Sequence, residues 1–215
     1  MYNFNYHCPS SLQEAESLYA KSEDPMFLAG GHTLLPTMKQ RLNAPTDLID
    51  LAGLTELAGI SREGDVLQIG AYTRHADVAA SELVQTAIPA LAKLARGIGD
   101  TQVRNRGTIG GSVANNDPAA DYPAALLGLG ATVVTTKRSV PADEFFVDMF
   151  ETVLEEGEII TAVTFPVKGD AEYIKFANPA SRYATVGVFI NRHNDGVRVA
   201  ITGAASSVFR CSEYE

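Results

Sequence analysis

The 215-residue chain reads as an α+β protein with a small parallel opening and a larger, mostly antiparallel body. Three observations predict this. Two short apolar runs, Met26–Ala29 and Asp47–Leu51, flank a Gly30-Gly31 turn and a helical segment, which makes a βαβ unit with parallel strands. Five later stretches are β-like, and the last two are joined by Asn194-Asp195-Gly196, a hairpin-turn signal. Helical patterns recur between these strands rather than in a separate block.

Taken in order, Tyr2–His7 alternates aromatic and polar residues as a short strand does. Ser10 and Ser11, followed by Gln13 and Glu14, form a capping box that opens a helix to about Lys21. Leu12, Ala15, Leu18 and Tyr19 share one face of it. Met26–Ala29 is a buried strand, ended by the paired glycines. Leu34–Leu42 is a helix, with Pro36 tolerated in its first turn. Gly53–Asp65, dense in glycine and charge, marks a subdomain boundary. Beyond it come a strand Val66–Gly70, a helix Thr73–Ala80 capped by Thr73, and a helix Ile88–Ile98 opened by Pro89. Gly97–Asp121 is rich in Gly, Asn and Asp with little periodicity, and a connection that long tends to carry function. Tyr122–Leu129 is a small apolar helix. Ala131–Thr136, Ile159–Phe165, Ala171–Phe176, Thr185–Ile190 and Val197–Thr202 complete the strands.

Composition narrows the function. Lys plus Arg is 17 against 26 for Asp plus Glu, a net charge of −9 that disfavours a general nucleic-acid binder. Two distant cysteines, Cys8 and Cys211, form no CxxC motif, so a structural zinc or iron–sulfur site within this chain is not expected. No run of ~18 apolar residues offers a membrane span. The first residues lack the basic and apolar regions of a secretory signal, so the expected setting is the reducing cytoplasm.

Two glycine-rich stretches stand out. In Leu28-Ala29-Gly30-Gly31-His32-Thr33, paired glycines leave main-chain N–H groups open to a ligand, and a helix N-terminus follows. Thr33 either caps that helix or donates to a phosphate oxygen. The bland alternative is a tight turn with no ligand. Gly107-Thr108-Ile109-Gly110-Gly111-Ser112, followed by Asn115, Asn116, Asp117 and Asp121, repeats the pattern with hydroxyls on both sides. Neither stretch is a P-loop or a GxGxxG fingerprint. Two separate glycine loops suit a ligand with two phosphates gripped from both sides; otherwise they are unrelated turns. Arg104 and Arg106 bind phosphate or a partner's carboxylates, or else form a solvated, salt-bridged loop. Asp121 accepts from a ligand hydroxyl or caps the Tyr122 helix. Of four histidines only His32 lies inside a motif, and His7, His75 and His193 have no company that suggests a metal. No catalytic triad or HExxH is present, so no catalytic residue is assigned, and a cofactor is expected to carry the reaction.

The runs Ala29–Pro36 and Ile98–Ser112 closely resemble the FAD-binding medium subunit of molybdenum hydroxylases, the subunit shared by the carbon monoxide dehydrogenase and xanthine dehydrogenase families. Asp117–Ala124, Pro141–Phe146, Glu156–Ile160, Lys175–Ala177 and Arg182–Ala184 are similar to the same family, so the resemblance covers nearly the whole chain in order. It implies a PCMH-type, vanillyl-alcohol-oxidase-like FAD domain. Residues 1–55 and 56–167 would be its two α+β subdomains, and 168–215 the start of a C-terminal α+β domain. By resemblance, Leu28, Ala29, Gly30, Gly31, His32, Thr33, Leu34 and Leu35 hold the FAD pyrophosphate through backbone N–H groups, together with Gly107, Thr108, Gly110, Gly111 and Ser112. Asn115, Asp117 and Asp121 join the cofactor site, Ile98 lies beside it, and Ile160, Lys175 and Tyr183 are near the flavin ring.

The same resemblance implies electron transfer. A molybdenum-cofactor large subunit oxidises the substrate, an iron–sulfur small subunit relays electrons to this FAD, and NAD or a quinone accepts them. The three chains would form a heterotrimer that dimerises in the family's manner. Family chains usually continue beyond Gly203-Ala204-Ala205, so the C-terminal domain is expected to be incomplete. Two other readings compete: a stand-alone flavin reductase on the same fold, and a binding module that has lost FAD.

Overall fold

The first helix is started by the side chains the sequence offers there. Ser11 Oγ accepts a hydrogen bond from the Glu14 amide at 3.2 Å, while the Glu14 carboxylate accepts from the Ser10 amide at 2.8 Å. The capping box forms, with its glutamate reaching back to Ser10 rather than to Ser11. Around this helix, α1 (Leu12–Lys21), lie β1 (Asn5–His7), β2 (Pro25–Leu28), α2 (Leu34–Lys39) and β3 (Asp47–Asp50). The computed structural model, which describes residues 1–194 and 196–215, places β3 between β1 and β2 with all three parallel. Ala15, Ile49, Leu51, Leu54 and Leu57 pack on one face, and Leu28, Met38 and Leu48 form a second small core.

The boundary stretch is more ordered than its composition suggests. Two single turns lead into β4 (Ile60–Glu63), an exposed strand hidden in a charged sequence, which pairs with β5 (Val66–Gly70). Then follow α3 (His75–Ala80), α4 (Glu82–Ala87), α5 (Pro89–Arg96), α6 (Thr101–Arg104), α7 (Ile109–Asn115) and α8 (Tyr122–Leu129). The expected irregular run from Gly97 to Asp121 therefore contains two short helices. Asp100 accepts from the Val103 amide and Thr108 from the Gly111 amide, so polar residues that read as loop formers are N-caps. The α3 helix begins at His75, with Thr73 two residues ahead of it and its hydroxyl bonded to Gly59.

The remaining elements are β6 (Thr132–Thr135), β7 (Ser139–Pro141), α9 (Ala142–Phe145), β8 (Phe146–Asp148), β9 (Glu151–Thr152), β10 (Ile160–Pro166), β11 (Asp170–Ala177), β12 (Ala184–His193), β13 (Gly196–Thr202) and β14 (Phe209–Arg210). The antiparallel body divides into a five-stranded sheet, β4-β5-β10-β6-β7, and a four-stranded sheet, β11-β12-β13-β14. Helix α8 is buried along its whole length, as an all-apolar helix must be. It packs against both sheets and joins them into the main core with Phe145, Phe165, Tyr173 and Phe189. At the expected hairpin turn, β12 and β13 pair out to His193 and Gly196, and Asp195 lies outside the described residues. Among the described residues no helix is long and apolar enough to cross a membrane.

Candidate functional site

The two glycine stretches, some 75 residues apart in sequence, meet backbone to backbone. A Cβ placed on Gly30 would lie 2.1 Å from the Arg106 carbonyl oxygen and 2.8 Å from the Gly107 Cα. A Cβ on Gly107 would in turn lie 2.5 Å from His75 Nε2, and one on Gly111 would lie 3.7 Å from the Ala29 Cβ. Only residues without side chains permit this layering of Gly30, Gly107 and the His75 ring. The isolated bridge between Arg74 and Thr108 pins the second stretch to the segment before α3.

The amides of the two stretches are used differently. Among the described residues, those of Gly30, Gly31, His32, Thr33 and Leu34 donate to no protein acceptor. Thr33 stands at the N-cap of α2, yet its side chain makes no capping bond. Gly31 adopts φ +75°, with Leu35 folded beneath it. In the second stretch, Gly107 donates to Val103 at 2.7 Å, Ile109 to Thr73 at 3.1 Å, Gly110 to Ala71 at 2.8 Å and Ser112 to Thr108 at 3.1 Å. Gly111 donates to Thr108 Oγ1. That leaves Thr108 with the one backbone N–H of Gly107–Ser112 not engaged within the protein. Gly107, Gly110, Gly111 and Ser112 thus use their N–H groups inside the protein. Gly110 is a glycine because it packs on Ala71, whose Cβ would be 2.6 Å from an added Cβ.

This junction fits an anionic diphosphate. It offers a row of unengaged amides and no obstructing side chain at either paired glycine. It also has an exposed cation, Arg106, whose side chain makes no hydrogen bond or ion pair among the described residues. Arg104, the other candidate cation, is turned inward onto the carbonyls of Ile98 and Gly99 at 3.0 and 3.2 Å. It fastens the loop and takes no part as a phosphate ligand. Leu28, Leu34 and Leu35 send their side chains into the small core by the parallel sheet, and the Leu35 amide is bonded to the Gly31 carbonyl.

A second group gathers where β11 meets α8. Asp121 is buried and accepts from the Tyr173 hydroxyl on one oxygen and from Lys175 Nζ on the other, at 2.9 Å. Lys175 also donates to the Gly97 carbonyl at 3.1 Å, which sets it beside Ile98. Burial raises the Asp121 pKa, against the opposing pull of Lys175 and Tyr173. Asp121 does not cap α8 with its side chain. Its carboxylate is drawn toward β11, and Pro123 removes one of the amides that a cap would use. Tyr183, half-exposed at the end of the β11–β12 turn, is close enough to Asp117 and Asp121 for both to raise its pKa, after burial. Asp117 itself closes a turn by accepting from the Ala119 amide.

Ile160 is buried at the start of β10 in the main core, and the neighbouring Thr161 carbonyl accepts from Ala71, the residue on which Gly110 packs. Asn115 ends α7, and Ser112 lies in its first turn. Tyr173 went unnoticed in the sequence, although its place two residues before Lys175 puts both on one strand face. In the sequence His75 stands only as a histidine without company that suggests a metal; its position behind Gly107 comes from the fold. A separate cavity of about 580 Å³, lined among others by Leu127, Asp143, Phe209 and Arg210, shares no residue with the glycine junction.

Known proteins resemble the chain over most of its length. The family described as the FAD binding domain in molybdopterin dehydrogenase matches residues 2–168. The carbon monoxide dehydrogenase medium chain of Hydrogenophaga pseudoflava is 39% identical over 96% of the chain and 77% of its own length. The glyceraldehyde dehydrogenase medium chain of Sulfolobus acidocaldarius is 34% identical, over 99% and 79%. A solved structure of the Hydrogenophaga pseudoflava carbon monoxide dehydrogenase, lacking the Mo-pyranopterin moiety of its cofactor, superposes with a TM-score of 0.92, covering 97% of this chain and 77% of that one.

Proposed function

This chain belongs to the FAD-binding domain family of molybdopterin dehydrogenases, and we propose that it relays electrons from an iron–sulfur small subunit to an external acceptor, NAD or a quinone. Substrate oxidation would take place at a molybdenum cofactor on a large subunit, the whole working in the cytoplasm. In this reading residues 1–55 and 56–167 grip the cofactor between them, and 168–215 begin a third unit that contributes Lys175 and Tyr183.

The observation that carries the reading is the meeting of the two glycine stretches with the amides of Gly30–Leu34 unengaged. These amides, with Arg106 and the Thr33 hydroxyl, would bind the FAD diphosphate. Thr108, Gly111 and Ser112 would wall the other side. Lys175, held by Asp121 and the Gly97 carbonyl, would present its remaining N–H toward the cofactor, and Tyr183 would cover a ring face. Bound FAD supplies a ring that exchanges electrons singly or in pairs, joining one-electron clusters to a two-electron acceptor. This chain's own residues hold and orient that ring.

The test is anaerobic reduction of the assembled complex. Substrate added to the three-subunit enzyme should bleach the visible absorbance of the bound flavin. The same substrate should leave the isolated, flavin-loaded chain unchanged. Reduction of an organic substrate with NADPH by the isolated chain would overturn the relay and favour a stand-alone reductase.

A further inference from the structure

Tyr173 is a tyrosine where the core needs only a ring. It is buried in the main core and tilted against Phe189, with ring centroids 6.0 Å apart. Phenylalanine would fill that slot equally well. The hydroxyl instead donates to Asp121 Oδ1, and the neighbouring strand leaves room for it. A Cβ on Gly187 would lie 2.3 Å from the hydroxyl oxygen, and Gly187 stands opposite Lys175 across the β11–β12 pair. Asp121 is itself buried and accepts from Lys175 on its other oxygen. Burying a carboxylate is costly, and α8 draws no side-chain cap from this one. The three groups form a chain. Tyr173 fixes one carboxylate oxygen, and the other is thereby fixed against Lys175. The Lys175 side chain is only 10% exposed. Two of its N–H groups are used, on Asp121 and on the Gly97 carbonyl, and the third has no acceptor among the described residues. A nearly buried ammonium with a donor left over is suited to an electron-rich ligand group.

We propose that Tyr173 is a positioning residue of the flavin site: through Asp121 it holds the Lys175 ammonium at one place beside the ring, and so favours reduced over oxidised flavin. The proposal rests on the reading in which Lys175 faces the cofactor. Electrons added to the ring increase its negative charge. A fixed cation in a site with little water stabilises that charge without having to reorganise. A lysine free to swing on its flexible stem would be solvated instead and would act weakly. Tyr173 touches neither cofactor nor substrate in this scheme. Its effect is exerted wholly through the place it gives Lys175.

The test is the midpoint potential of the flavin-loaded chain at saturating FAD, read by reductive titration against dyes of known potential. Tyr173→Phe keeps the ring and removes the hydroxyl. It should lower the affinity ratio of reduced to oxidised flavin about tenfold, a fall of roughly 30 mV for a two-electron couple, and leave flavin content unchanged. Lys175→Met should lower the ratio further. In the Lys175→Met background, Tyr173→Phe should have no additional effect, a coupling that a merely structural hydroxyl would not show. Should Tyr173→Phe fail to fold, Gly187→Ala forces the hydroxyl from its place and should lower the ratio in the same direction. A wild-type potential in whichever of these two variants folds, beside a lowered one in Lys175→Met, would overturn the proposal and leave the reading of the site intact. Equal falls on removing the hydroxyl with and without Lys175 would also overturn it. An unchanged potential in Lys175→Met would overturn the placement of Lys175 at the cofactor and the proposal with it.

Discussion

The two glycine stretches look alike in sequence and act differently in the fold. Around Gly30-Gly31 the glycines clear a space and the amides stay unengaged. Around Gly110-Gly111 the glycines let a helix pack on Ala71, and the amides are already bonded inside the protein. In the proposed reading the first would receive an anion, and the second would be a wall that positions the first through the contact of Gly107 with Gly30. Glycine pairs thus have two physical uses, ligand approach and backbone packing, and only the hydrogen-bond accounting separates them.

The strongest way to break the comparison is at the contact itself. Gly30→Val puts a branched side chain against the Arg106 carbonyl, a backbone atom that cannot step aside. The loops must separate, and we expect FAD affinity to fall more than a hundredfold, with overpacking destabilising the fold by about 3 kcal/mol or more. Flavin fluorescence titration and thermal melting read the two effects. Gly110→Ala should destabilise by about 1–3 kcal/mol through its clash with Ala71. FAD affinity of the folded fraction should stay within a few-fold of wild type. An equal loss of affinity in both variants would erase the distinction.

His75 gives a pH test of the wall. Its ring is buried behind Gly107 with Nδ1 unpartnered, and burial, then His32 and Arg104, push its pKa down to about 4. The unfolded chain binds a proton near pH 6.5, while the folded chain resists until about pH 4. Stability should therefore be full above pH 6.5 and fall by about 3 kcal/mol as pH drops through that window. Urea melts at pH 7 and pH 4.5 check this, and His75→Leu should flatten the slope. The two threonines show a smaller contrast. Thr108→Ala removes the cap on Gly111 and should destabilise by about 1 kcal/mol. Thr33→Ala removes no intramolecular bond, so stability should change by less than about 0.5 kcal/mol while FAD binding weakens.

Much of the architecture was legible from pattern alone. The bounds of β5 and α8 follow from an alternating run with Leu67 and Ile69 inward and from an all-apolar helix, and the βαβ opening follows from two runs around a glycine turn. What stayed hidden had weak local signals. Helices α6 and α7 are too short to show periodicity, and their caps, Asp100 and Thr108, resemble loop residues. Strand β4 is an exposed edge in a charged stretch, with no apolar face to reveal it. In the site, the juxtaposition of Asp121, Tyr173 and Lys175 depends on β11 returning beside α8, which no local feature encodes. The use of Gly110 for packing rather than for its N–H depends likewise on Ala71, nearly forty residues earlier.

In the proposed reading the first glycine stretch holds the cofactor's diphosphate and the second only shapes its seat. Backbone amide NMR of the chain during FAD titration tests it most directly. We expect the amide signals of Gly30–Leu34 to shift strongly and gain exchange protection, while those of Ile109 and Gly110 stay nearly fixed. Large shifts at Ile109 and Gly110 with an unmoved Gly30–Leu34 segment would contradict the account.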